Sequence, residues 1–135
     1  MAWIEPKTNW ESTDYFNIED YNRIVGNLTY LKSFSEKLFR GYDLLEMEQE
    51  KTYSSMIYAR EINAIENNLE TVNINTYNFA IGDTKEFYPN KATPLWSEFN
   101  RIESAMLLLH NTMLSHKNAL PRLAFTLGRQ KGLKV

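Results

Sequence analysis

The chain has 135 residues, of which 43% are apolar and 24% charged, and a formal net charge of -2. That length and balance suit one domain with its own hydrophobic core and argue against wholesale disorder. The absence of cysteine excludes disulfides, thiolate metal sites and cysteine nucleophiles.

In chain order, residues 1–17 read as an ordered arm, with Trp3, Pro6, Trp10, Tyr15 and Phe16 set among Thr, Asn, Ser and Asp. The arm aromatics are expected to pack over the helix starts, because an aromatic-rich segment without its own periodicity gains most by covering an existing core. The alternative is a stacking platform for a sugar ring. The start Met1-Ala2-Trp3-Ile4-Glu5-Pro6 has neither a basic region nor an apolar run, and no segment reaches the length of a membrane span. A protein made in a cytoplasm, with no membrane partner, is expected.

Asn17 followed by Asp20 reads as a helix cap with an acid at the third helical position. Apolar residues at Tyr21, Ile24, Leu28, Leu31 and Leu38 keep a heptad pattern, and Arg40-Gly41 reads as a stop, which predicts helix one over 18–40. Tyr58, Ile62, Ile65, Leu69 and Val72 fit one helical face, and no Gly or Pro lies between Gly41 and Gly82, so a second helix is predicted over about 43–72. Residues 73–94 carry turn chemistry, which predicts a loop-rich insertion able to hold a short hairpin about Gly82. Thr93-Pro94 reads as a helix start, and helix three is predicted over 94–120 with Pro121 at its end. Residues 121–135 are expected as a basic tail, with a short strand or extended arm over Leu123–Leu127. The whole is predicted as a single, mainly α domain: a three-helix bundle with an aromatic arm.

A repeated phrase runs through all three helices. Asp20-Tyr21-Asn22-Arg23-Ile24 recurs as Glu98-Phe99-Asn100-Arg101-Ile102, and as Glu61-Ile62-Asn63-Ala64-Ile65. With Tyr21, Ile62 and Phe99 at heptad position a, the isoleucines fall at d and explain themselves as seam residues. The asparagines fall at b and Arg23 and Arg101 at c, facing outward, where burial imposes no identity. Pairing with the acid three residues earlier is worth only a few tenths of a kcal/mol in the open. The expected explanation is that Asn22, Arg23, Asn63, Asn100 and Arg101 bridge between helices through several hydrogen bonds. The alternative is that they face a partner subunit, including a second copy.

Enzymatic and cofactor motifs are missing from the sequence: it holds no phosphate loop, no metalloprotease pair and no calcium loop. His110 and His116 are six apart on one predicted helix and do not share a face, so no metal is expected there. After Glu103 the chain carries no acid, while Lys117, Arg122, Arg129, Lys131 and Lys134 follow; such a basic end can orient the protein toward an acidic neighbour. Basic and aromatic residues do not interleave along a stripe, which leaves nucleic-acid binding unsupported.

The run Trp3-Ile4-Glu5-Pro6-Lys7-Thr8-Asn9-Trp10, then Asp14-Tyr15-Phe16-Asn17 and Asp20-Tyr21-Asn22-Arg23-Ile24, resembles the N-terminal segment of small structural proteins. These are encoded in the tail and baseplate regions of phages and prophages of Gram-positive bacteria. Trp96-Ser97-Glu98-Phe99-Asn100-Arg101-Ile102-Glu103 is similar to a second copy of that motif. The resemblance implies a non-enzymatic virion component without cofactors, placed in the tail region and packed against other tail proteins. Two rivals are a module recognising host cell-wall carbohydrate through the arm and a phage-encoded intracellular regulator binding a host protein.

Overall fold

The computed structural model describes residues 2–47, 51–52, 59–82 and 96–134, with the side chains of 121–134 excepted. Among the described residues three helices make the architecture: α1 (Ile18–Ser35), α2 (Ala59–Ile74) and α3 (Trp96–Lys134). Among the described residues there is no strand, and no helix is long and apolar enough to cross a membrane. The domain is mainly helical and bundle-like.

The α1 start follows from its sequence. The Asn17 side chain accepts from the Asp20 backbone N–H while the Asp20 carboxylate accepts from the Asn17 N–H, a reciprocal capping box. The helix ends at Ser35, short of the predicted 40. Lys37 and Leu38 donate to carbonyls three residues back, so the chain tightens into a turn that carries it to Phe39 before Arg40-Gly41 releases it. The second helix is described from Ala59, and residues 53–58 of its predicted span lie outside the described residues, while 51–52 are not helical. Residues 42–47 are not helical although no Gly or Pro interrupts them, because the backbone of Leu45 is held by a side chain of α2. A tertiary contact overrides propensity there. The third helix runs past Pro121, against the expected stop, and 123–127 is helical rather than extended. An interior proline removes one backbone hydrogen bond and disfavours helical dihedrals at the residue before it, a local cost that α3 carries at Pro121. The Thr93-Pro94 start and most of the hairpin region about Gly82 lie outside the described residues.

The three helices are parallel to one another. Residue 23 of α1 pairs with residue 103 of α3, and further along Phe34 lies edge-on to His110. Arg101 of α3 reaches Glu66 of α2, and His116 meets Tyr77 just beyond the end of α2. Parallel neighbours need long return connections, which is why the segments between helices are long. The repeat then stacks in layers. Tyr21, Ile62 and Phe99; Ile24, Ile65 and Ile102; Leu28, Leu69 and Met106; and Leu31, Val72 and Leu109 are all buried in one core cluster.

Candidate functional site

Asn22 and Asn100 of the repeat grip extended backbone rather than another helix. Asn100 accepts from the Trp10 N–H at 2.7 Å and donates to the Trp10 carbonyl at 3.0 Å. Asn22 makes the same pair of bonds with Lys51, at 2.8 and 3.0 Å. A carboxamide matches one peptide unit, donor for acceptor, so each clamp satisfies both polar groups of a residue that no helix or strand pairs. This corrects the expectation for asparagine, which was a bridge between helices.

Two further clamps escaped the sequence reading. Asn27 holds Ile4 (3.0 and 2.7 Å), and Asn68 holds Leu45 (2.8 and 2.9 Å). Each stands five residues after the repeat asparagine of its helix, and that spacing was the available signal; α3 has Ala105 at the corresponding position. A pattern emerges. The arm is held at Ile4 by α1 and at Trp10 by α3, so it descends antiparallel to the helices in the groove between them. Leu45 is held by α2 and Lys51 by α1 in the same order, at the next groove. Asn63 occupies the equivalent position on α2 and is half-buried. At the end of α2 a local version appears, where Asn73 clamps Phe79 around Asn78, which has φ 52°.

Replacing Asn68 with Ala should therefore cost about 1–3 kcal/mol, because two backbone groups of Leu45 lose their partners. Asn68→Asp should be nearly as costly, since a carboxylate keeps the acceptor but faces the Leu45 carbonyl without a donor. Urea denaturation of both variants checks it.

The arginines do tie helices together. Arg23 donates from Nε and Nη2 to the two oxygens of Glu103 at 2.7 and 2.8 Å, and from Nη1 to Asp20 at 2.8 Å. Arg101 donates from Nη2 to Glu66 at 2.6 and 2.7 Å, and from Nε to Glu98 at 2.9 Å. Both carboxylate acceptors across the interface, Glu66 and Glu103, are buried, and neither was singled out in the sequence. For each guanidinium, burial works to lower the pKa, yet the two carboxylates outweigh it and the value is raised. Neither arginine is the outward residue that its heptad position suggested. Arg101 also lies against Gly82, whose φ is +88° and where a Cβ would come within 2.6 Å of the Arg101 Cδ.

The two bridges belong to a cyclic rule. The arginine of one repeat reaches the residue two positions past its own register equivalent on the neighbouring helix, Glu103 for Arg23 and Glu66 for Arg101. In the third interface the corresponding positions are Ala64 and Val25, so the absent arginine and the absent glutamate are the two halves of one pair. Charge there is supplied by the return segment instead. The buried Lys51 ammonium bonds Glu61 at 2.8 Å and lies 5.4 Å from the centre of the Tyr21 ring. The residue in the Lys51 place on the arm is Trp10, whose indole N–H donates to Glu103 at 2.6 Å.

The arm aromatics divide. Trp10 is buried against Phe99, Phe16 stacks on Phe99 with ring centres 4.2 Å apart, and Trp3 stacks on His110 at 3.9 Å. Tyr15 is 89% exposed, contrary to the expectation that it packs. Burial holds the His110 pKa below its ordinary value, against an opposing pull from the Glu5 carboxylate. An unfolded histidine titrates near about 6.5, so below that pH the unfolded chain takes up a proton that the folded one resists. Stability should be full above about pH 6.5 and fall as the pH drops through the window beneath it. Comparing melting at pH 7.5 and 5.5 checks this. His110→Phe, which keeps a ring on Trp3 and cannot titrate, should lose that share of the dependence.

Among the described residues no group of three or more His, Asp or Glu side chains could hold a metal ion. His116 instead meets the Tyr77 hydroxyl at 3.0 Å through Nδ1. The chain matches no protein-family model, no curated protein and no solved structure.

Proposed function

We infer that the chain is a non-enzymatic structural or adaptor protein of a phage tail or baseplate, packing against other virion proteins. The observation that carries the structural half of this reading is the use made of the polar side chains. Glu66, Glu103, Arg23, Arg101 and four clamping asparagines, the residues best suited to chemistry on a substrate, are all engaged in holding two arms and three helices together. No buried side-chain polar atom among the described residues lacks a partner. Groups so bound give rigidity and shape, which an assembly component needs. The particle itself is suggested by the resemblance of the Trp, Pro, Trp and Asn-Arg-Ile motifs.

The carbohydrate-binding alternative draws less support, since Trp3, Trp10 and Phe16 spend their ring faces on the bundle. Mass spectrometry of purified particles from the phage or induced prophage that encodes the chain tests the reading. The polypeptide is expected at stoichiometric level. Its absence from particles, with recovery bound to a host protein in infected cells, would overturn the reading in favour of an intracellular regulator.

A further inference from the structure

α3 outruns its bundle. Ser35, the last residue of α1, is level with Met113 in the repeat register, and Ile74, the last of α2, is level with Asn111. From Leu114 to Lys134, about 31 Å of helix at 1.5 Å per residue has neither α1 nor α2 beside it, and no other helix among the described residues. Most of the stability of a helix in a protein comes from packing a face rather than from propensity.

The apolar heptad nevertheless continues as far as Leu127, with His116 at one d position, before Gln130 and Lys134 take the next d and a places. Phe99, Ile102, Met106, Leu109 and Met113 occupy successive a and d positions and are buried, whereas Leu120, at the next a position but one step past His116, is 38% exposed. By sequence register Leu123 and Leu127 take the following d and a positions, and Arg122 and Arg129 take c, the position from which Arg23 and Arg101 reach a carboxylate on a parallel neighbour. At the foot of this overhang Lys37 and Lys117 flank Tyr30 and Phe34 around a cavity of about 320 Å³. Neither lysine makes an ion pair among the described residues; the Lys117 ammonium lies 5.9 Å from the Phe34 ring centre.

We propose that the α3 overhang and the Lys37/Lys117 corner dock an acidic amphipathic helix of a partner protein, laid along the seam in continuation of the bundle. An apolar a/d seam asks for another helix, and cations at its flank ask for carboxylates on that helix. A second copy of this chain meets the seam but not the charge, since it brings five cations after Glu103 and no acid. Nucleic acid meets the charge but not the seam. The inference rests on the adaptor reading; particle composition tests that reading, while binding by the isolated chain tests this surface.

The probe is a synthetic three-heptad peptide with Leu at a and d and Glu at e and g, titrated into the full chain by calorimetry with helicity followed by circular dichroism. Binding with a gain of helix is expected, weakened about tenfold or more by Lys37→Glu/Lys117→Glu and weakened by raised salt. Both lysines are exposed, and an unchanged melting transition verifies that the variant folds; Lys37→Gln/Lys117→Gln, with a smaller loss expected, is the second variant. Four results would each overturn the proposal: no binding; equal binding of a peptide with Ser in place of Leu; preferential binding of oligo(dT) or phosphatidylglycerol vesicles; or self-association of the chain that the lysine substitutions abolish.

Discussion

Glu103→Ala should destabilise the chain by about 3–5 kcal/mol, because it leaves a half-buried guanidinium facing an emptied site. Four donors converge on that carboxylate: the Lys7 N–H at 3.1 Å, the Trp10 indole at 2.6 Å, and Nε and Nη2 of Arg23. The arm, α1 and α3 therefore share one acceptor. Chemical denaturation at neutral pH measures the loss, and a cost under about 1 kcal/mol would mean that the network contributes geometry without stability. The third interface supplies a sharper comparison, since it solves the same problem with Val25 and Ala64. Building that solution elsewhere, as Arg23→Ala/Glu103→Val, should cost less than Glu103→Val alone, with a coupling of about 1–3 kcal/mol in the double-mutant cycle. Recovery should stay partial, because the Trp10 indole and the Lys7 amide still lack their acceptor.

That comparison also shows what kind of information the sequence held. The seam was legible, since burial on one helical face imposes apolar identity at fixed spacing, and the Asn17–Asp20 cap was legible because it is a local contact. The meaning of Asn22, Asn100, Arg23 and Arg101 was not, although their repetition marked them. The partners of Asn100 and Asn22 lie 90 and 29 residues away on segments with no periodicity of their own, and those of Arg23 and Arg101 lie 80 and 35 residues away on other helices, at positions that the seam does not mark. A heptad wheel places c outward only if nothing covers the groove, and here the arm fills one groove while Leu45 and Lys51 are held at another. Parallel helix order was equally hidden: once it is known, Ala64 and Val25 explain each other, but the repeat alone does not say which helix follows which. The helix limits failed for related reasons, as with Leu45, whose backbone is claimed by Asn68 before helix propensity can act.

Truncating the central isoleucine layer should produce the second large effect. Ile24, Ile65 and Ile102 occupy the same position in three repeats, and each is at most 1% exposed. Isoleucine-to-alanine changes at such sites remove buried methyl and methylene groups and leave a void that close packing cannot fully relax, at about 2–5 kcal/mol each. Equivalent positions around a pseudo-threefold axis predict more than three large numbers. They predict similar ones, because each side chain meets the same layer from a different helix. A marked departure is expected only where the surroundings differ, and the surroundings of α2 do differ, with Lys51 and Glu61 in place of an arginine bridge beside Ile65. Ser104→Ala, on the exposed side of α3, is the control and should fall within about 0.5 kcal/mol of the parent. If Ile65→Ala proved nearly free while Ile24→Ala and Ile102→Ala were costly, α2 would be a peripheral helix laid on an α1–α3 pair, and the threefold description of the core would fail.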